Sequence, residues 1–221
     1  PTPSRPTPSQ PTPSQPTPSP AFGMGGMDDD LAEASETIHF DEFEDPDMPA
    51  EKEDFRRGLT SLFNRRRFHE ELERNIAEAA RRHTELGVLV MDLDGFKPIN
   101  DEFGHHAGDQ VLVTIAREVG GIVRRNEMFF RLGGDEFAVM TPESSEFEMV
   151  GLARRVGGKI ADMRFVFGGR EVQLTASLGI ALYPTHATSS EEIIARADSA
   201  MYQAKLSGKN RWAVFGSAKL H

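Results

Sequence analysis

The stretch Arg131-Leu132-Gly133-Gly134-Asp135-Glu136-Phe137 limits what this chain can fold into more than any other. Met128-Phe129-Phe130 precedes it and Phe137-Ala138-Val139-Met140 carries on from it. Apolar runs joined by Gly133-Gly134 predict a β-hairpin with its tight turn at the glycines. The favoured two-residue turns need φ > 0, which glycine adopts at little steric cost. Such a hairpin lifts two adjacent carboxylates, Asp135 and Glu136, to its tip. Taken alone, that tip is equally well a solvated turn.

A second acidic strand end lies upstream. Val88-Leu89-Val90-Met91 is a continuous apolar run, as expected of a strand buried on both faces. It leads directly into Asp92-Leu93-Asp94. Carboxylates at the exit of a buried strand are costly to hold together unless a cation neutralises them. Mg²⁺ suits such a place, because it takes one or two carboxylates and completes its octahedron with water and phosphate oxygens. An EF-hand loop is excluded, since Phe96 and Lys97 stand where a ligand and a glycine are required. Solvated strand-end acids remain the plain alternative. Gly95-Phe96-Lys97-Pro98 then opens a short helix, with Pro98 suited to the first turn. Backbone N–H groups at a helix start are natural phosphate donors, and Lys97 adds charge there. Asn100 and Asp109 follow; an amide and a carboxylate together can read a guanine edge.

The remaining periodicities describe scaffold. Asn64 is a good N-cap, with Phe63 and Phe68 at the staple positions. Phe68, Leu72, Ile76 and Ala79/Ala80 form one helical stripe, and this helix is expected to carry no chemistry. Gly87 should end that helix or begin the next strand. Val111, Leu112, Ile115, Ala116 and Val119 predict a helix, as do Phe147, Val150, Leu152 and Val156. Residues 164–167 and 172–183 read as strands around a Gly168-Gly169 turn. Ser189 and Glu192 form a capping box for a last helix running to about Lys205.

Charge and composition set the domain limits. Residues 1–20 are four copies of Pro-Thr-Pro-Ser-x, which cannot build a core and should form an extended spacer, either inert or partner-binding. Residues 21–54 are an acidic linker, expected to be mostly disordered, and 13 of the 35 acids fall within 28–54 beside a single base, Lys52. Order should begin near Asp54. The 55–221 domain then holds 22 acids and 23 bases, so it is no basic nucleic-acid binder, although the whole chain has a net charge of −10. Cysteine is absent, which excludes disulfides and thiolate chemistry and fits a reducing, cytoplasmic setting. No run approaches the ~18 apolar residues of a membrane span, so no membrane segment is expected within this chain.

Four separated motifs identify a resemblance. They are Asp92-Leu93-Asp94-Gly95-Phe96-Lys97-Pro98-Ile99-Asn100 with its continuation to Asp109, the hairpin stretch 131–137, Thr175-Ala176-Ser177-Leu178-Gly179-Ile180, and Ala197-Asp198 through Lys205, Lys209 and Arg211. Together they resemble the GGDEF family of diguanylate cyclases over about residues 57–215. The resemblance implies an α/β (α+β) fold related to the class III nucleotide cyclases, with a central, mostly antiparallel sheet flanked by helices. It implies condensation of two GTP molecules into cyclic di-GMP and two pyrophosphates. Mg²⁺ (or Mn²⁺) would be held by Asp92, the Leu93 carbonyl and Asp135, with Glu136 as a second ligand or base helper. Asp135 corresponds to the base for the ribose 3′-hydroxyl. Phe96 and Lys97 would lie at the phosphates, with Lys97 stabilising transition-state charge. Asn100 and Asp109 would read guanine, with His105 beside them, and Lys205 and Lys209 would touch phosphate. Without the resemblance, Lys205 is simply a solvated helix-end lysine.

The resemblance further implies a transient homodimer, since each site holds one GTP and two must face each other. It also implies product feedback at an Arg-x-x-Asp site. Here that register gives Arg124 and Glu127, a degenerate pair expected to bind product more weakly, or plain surface charge. Arg57 and Ser61 stand where the family usually has Asp and Gly, which bears on coupling rather than chemistry. The rival reading is a non-catalytic module that binds GTP or cyclic di-GMP and signals by contact. The retained acids at 92, 135 and 136 favour an enzyme.

Overall fold

In the computed structural model the run at Val88–Met91 sits mid-sheet, and alternate residues look into different helical layers. The structure describes residues 59–217 and the backbone of Thr37–Ile38. The repeat over 1–20, nearly all of the acidic linker, the expected start of order near Asp54, and Arg57 lie outside the described residues.

In chain order the elements are β1 (Thr37–Ile38), α1 (Arg65–Arg82), β2 (Leu86–Asp94), α2 (Phe96–Phe103), α3 (His105–Ile122), β3 (Met128–Gly133), β4 (Glu136–Pro142), α4 (Glu146–Asp162), β5 (Arg164–Phe167), β6 (Arg170–Val172), β7 (Thr175–Tyr183), α5 (Ser190–Leu206) and β8 (Arg211–Val214). The main sheet has the order β3-β4-β2-β7-β8. All its pairings are antiparallel except β7–β8. A small sheet holds β1, β5 and β6, with β1 parallel to β5.

Successive strand residues point to opposite faces. From β2, Leu89, Met91 and Leu93 enter a core with Val111 and Ile115 of α3 and Leu152, Val156 and Ile160 of α4. Val88 and Val90 enter a second core with Phe68 and Leu72 of α1 and Ile193 and Ala197 of α5. The run is unbroken because both faces are covered. No helix among the described residues is long and apolar enough to cross a membrane.

Asn64 caps α1 as expected, its side chain accepting from the Arg67 N–H at 3.0 Å. The helix stops at His83, which takes the left-handed conformation (φ 52°) and donates its N–H to the Ala79 carbonyl. Gly87 therefore lies inside β2, where a Cβ would overlap Met149 of α4. The expected stripe of α4 is displaced: Phe147 is 87% exposed, while Met149, Leu152, Val156 and Ile160 are buried. A reciprocal capping box, Ser145 with Glu148, starts that helix. At α5 only half of the expected box forms, because the Glu192 carboxylate accepts from the Thr188 N–H (2.9 Å) instead of from Ser189. The expected strand 172–183 is broken at Gln173-Leu174 into β6 and β7. The Gly168-Gly169 turn forms, with both residues at positive φ.

The hairpin forms one residue out of its expected register. Arg131 pairs with Phe137 and Gly133 with Glu136, so Leu132 is an extra residue and the turn is Gly134-Asp135. A bulge bends the strand end and re-aims the side chains beyond it. Here it places the Asp135 side chain at the turn itself.

Candidate active site

β2 and β4 deliver the carboxylates. Asp92 and Glu136 are direct cross-strand partners, so their side chains leave the sheet on one face, the side covered by α1 and α5. The Leu93 N–H donates to the Asp135 carbonyl at 3.3 Å, which ties the exit of β2 to the hairpin turn. Asp92, Leu93, Asp135 and Glu136 thus converge at one end of the sheet.

Each cross-strand carboxylate has a cation from a helix. Lys205 Nζ of α5 lies 2.7 Å from Asp92 Oδ2. Arg65 of α1 places Nη2 at 3.1 Å from Glu136 Oε2 and donates Nε–H to the Leu132 carbonyl at 2.9 Å. The Asp92 carboxyl is pushed above its ordinary range, first by burial and then by Asp135 and Asp94, while Lys205 opposes the rise. On α5, Asp198 is also pushed up, by partial burial and by Glu136, with Arg65 and Lys205 opposing.

Asp94 is a different kind of residue from Asp92. It is buried and accepts from Thr175 Oγ1 (2.9 Å), Ser177 Oγ (2.8 Å) and the Asn210 N–H (3.1 Å). Three donors on one carboxylate make it a brace between β2, β7 and the loop before β8. Arg131 braces the turn, donating twice to the Gly134 carbonyl at 2.9 and 3.1 Å. Burial lowers its guanidinium pKa, and the charges of Asp109 and Asp135 oppose that.

The second group of expected residues lies on α2 and α3. Gly95 in the left-handed conformation (φ 86°) turns the chain from β2 into α2. Phe96 is buried at the start of that helix, and Lys97 beside it is exposed. The Asn100 side chain rests against Gly108, where any Cβ would overlap its carboxamide. That contact brings Asn100 beside Asp109, the exposed next residue of α3. His105 is exposed at the first position of α3. Lys209 is exposed in the loop after α5, in the left-handed conformation (φ 62°).

Arg124 and Glu127 share one turn but point differently. Arg124 is exposed. Glu127 is buried; its carboxylate accepts from the Arg124 backbone N–H at 2.7 Å and pairs with Arg155 of α4 at 3.1 Å.

Sequence reasoning missed Arg65. It belongs to a helix expected to carry no chemistry, yet it holds Glu136 and the hairpin. No local pattern marks an arginine that acts 71 residues away. The brace at Asp94 had a faint signal in the hydroxyls of Thr175 and Ser177.

Among the described residues, no group of three or more acids, imidazoles or thiols is arranged as a ready-made metal cage, and the acids at this sheet end are no exception. Mg²⁺ asks for less, one or two carboxylates with water and phosphate oxygens completing the shell. Asp92 and Asp135 could meet that demand beside the Leu93 backbone. Burial and the charge of Asp135 oppose ionisation of Asp92, and a dication held between the two carboxylates would relieve both.

Three comparisons bear on this geometry. The family model described as "Diguanylate cyclase, GGDEF domain" matches residues 57–211. The bifunctional diguanylate cyclase/cyclic di-GMP phosphodiesterase MucR of Pseudomonas aeruginosa is 39% identical over 161 residues, which are 73% of this chain and 23% of MucR. Diguanylate cyclase DosC of Escherichia coli is 38% identical over 69% of this chain and 33% of DosC. The chain thus spans well under half the length of these curated relatives. Among solved structures, the GGDEF domain of DgcB from Caulobacter crescentus, in complex with c-di-GMP, matches with a TM-score of 0.70 at 30% identity, covering 74% of this chain and 97% of that domain.

Proposed function

The chain belongs to the GGDEF family of diguanylate cyclases, and from that premise we propose that it condenses two GTP molecules into cyclic di-GMP and two pyrophosphates. The observation that carries this reading is the convergence of Asp92, Asp135 and Glu136 at one sheet end, next to the start of α2 with Lys97. A degenerate, purely binding member would have no need of these acids.

Each residue has a part set by its place. Asn100 and Asp109 read the guanine edge, the amide and carboxylate offering complementary acceptors and donors. His105, on the same helix start, borders the base. Phe96 and Lys97 present backbone and ammonium groups to the phosphates, and Lys97 stabilises charge that grows on them in the transition state. Lys205 and Lys209 approach the phosphates from the other side. Asp135 accepts the proton of the ribose 3′-hydroxyl, and Glu136 supports it electrostatically. Asp92, Asp135 and the Leu93 carbonyl would hold Mg²⁺ or Mn²⁺, which would neutralise phosphate charge and lower the pKa of the attacking hydroxyl. GTP as substrate agrees with a cytoplasmic setting.

Each site has one set of guanine readers, so two domains must face each other, each supplying one nucleotide. Dimerisation then brings each 3′-hydroxyl to the partner's α-phosphate, and proximity supplies much of the rate. The test is turnover of GTP with Mg²⁺ by the purified chain beside Asp135→Ala. Cyclic di-GMP from the unmodified chain alone, at a rate per protein that rises with protein concentration, is the expected result. Binding of GTP without product at high protein concentration would leave a non-catalytic receptor instead.

Feedback by product is proposed to be weak. Arg124 remains exposed for a phosphate or guanine, but the Glu127 carboxylate is already committed to Arg155 and to its own turn. Calorimetry with cyclic di-GMP should show weak binding that Arg124→Ala weakens further. Unchanged affinity in that variant would remove Arg124 from the feedback role.

A further inference from the structure

The Lys205 ammonium sits on the Asp92 carboxylate with the geometry of a close ion pair, 2.7 Å from Oδ2. It reaches there from the last turn of α5, across 113 residues of sequence. Both side chains are largely enclosed, at 30% and 16% exposure. An enclosed ion pair is screened little by solvent and is not an idle surface contact. Its partner across the strand pair, Glu136, is likewise held by Arg65. Both cross-strand acids therefore carry a protein cation.

The two cations differ in how they are tied. Arg65 is anchored twice, to Glu136 and to the Leu132 carbonyl, and its helix begins at that residue. Lys205 holds one carboxylate oxygen by one flexible stem. A lysine ammonium is a compact point charge that moves readily, whereas the arginine fork is preorganised for its partners. Of the two, Lys205 is the cation that can leave.

We propose that Lys205 is a placeholder cation on Asp92 that a divalent metal must displace, and that the displaced ammonium then turns to the nucleotide phosphates, so that metal and nucleotide bind cooperatively. This rests on the metal and GTP assignments above and names their coupling. A dication and an ammonium cannot share one carboxylate cheaply. Metal alone is therefore bound only by the fraction of molecules in which Lys205 has moved away, and its apparent affinity falls by that fraction. A triphosphate gives the released ammonium a new anionic partner and removes the penalty. By linkage, the nucleotide's effect on metal affinity equals the metal's effect on nucleotide affinity.

The test uses Mn²⁺ alone as probe, with bound ion counted by electron paramagnetic resonance on the nucleotide-free chain. Lys205→Met should tighten Mn²⁺ binding on the order of tenfold, within the usual range of site-to-site coupling. Lys205→Arg, whose fork should leave the carboxylate less readily, should bind Mn²⁺ no more tightly than the unmodified chain. Asp92→Asn should abolish binding in either background. In the presence of a non-hydrolysable GTP analogue, the unmodified chain should gain Mn²⁺ affinity by a larger factor than Lys205→Met does. Equal Mn²⁺ affinity in the unmodified chain and Lys205→Met, lost on Asp92→Asn, would overturn the placeholder while leaving the metal site standing. Failure of Lys205→Met to bind Mn²⁺ at all would overturn the metal assignment and the placeholder with it.

Discussion

Ser61 stands where the family usually has glycine, and the structure gives that difference a physical meaning. Its φ is 54°, in the left-handed region where a Cβ crowds the following carbonyl. Such a conformation costs an L-residue about 1–2 kcal/mol. Glycine would relieve that and lose about 0.5–1 kcal/mol through its freer unfolded chain. The position is exposed, so no packing is disturbed. Ser61→Gly should therefore stabilise the chain by up to about 1 kcal/mol, a rise of ~2–4 °C in a thermal melt for a domain of this size. An unchanged or lowered midpoint would show that the serine hydroxyl compensates its backbone. The same scale explains why single residues at the site were hard to foresee. Asp92 and Asp94 look alike in sequence, two acids at one strand exit. One faces Lys205 at the sheet end, and the other is sealed among Thr175, Ser177 and Asn210.

At the level of elements, the close approach of α5 to β7 explains a glycine that periodicity alone does not. Gly179 lies mid-strand in β7, and a Cβ there would run into the backbone at Ala197 and Met201. Backbone cannot swing aside as a side chain can, so the helix itself must lift. Overpacking of this kind costs about 1–3 kcal/mol and occasionally more. Gly179→Ala should lower the urea unfolding free energy by about 3 kcal/mol, and it should also displace Lys205, one turn beyond Met201 on the same helix. Full stability in that variant would mean that α5 rests on β7 less tightly than these distances require. The elements themselves were largely legible. Continuous apolar runs gave away β2, β3 and β4, a capped stripe gave away α1, a stripe alone α3, and a capping pair α5. Less legible was everything decided by pairing between distant segments. The bulge at Leu132 moved the turn to Gly134-Asp135, because register depends on the partner strand and not on the glycines alone. The parallel placement of β8 beside β7 and the reach of Arg65 to Glu136 likewise come from topology, which local sequence does not encode. The inward turn of Glu127 depends on Arg155 lying 28 residues away on α4.

For the whole molecule, the proposed two-fold arrangement makes a demand that no single site can meet. Cyclic di-GMP has two phosphodiester bonds, and each must be closed by a 3′-hydroxyl activated in a different domain. A dimer with one inactive partner can close one bond at most. If Asp135→Ala still dimerises as the unmodified chain does, mixing the two at constant total protein distributes them at random. The share of fully active dimers is then the square of the active fraction. An equal mixture should make cyclic di-GMP at about a quarter of the unmodified rate, with the mixed dimers, about half of the total, releasing a linear, half-joined dinucleotide. Linear dependence, giving about half the rate, would mean that one competent domain completes both bonds and that the two-fold requirement fails. The carboxylate at 135 is a suitable one to remove, because its side chain lies in the turn at the rim of the sheet and takes no part in either core. Loss of product in the mixture would therefore report on chemistry across the dimer and not on unfolding of one partner.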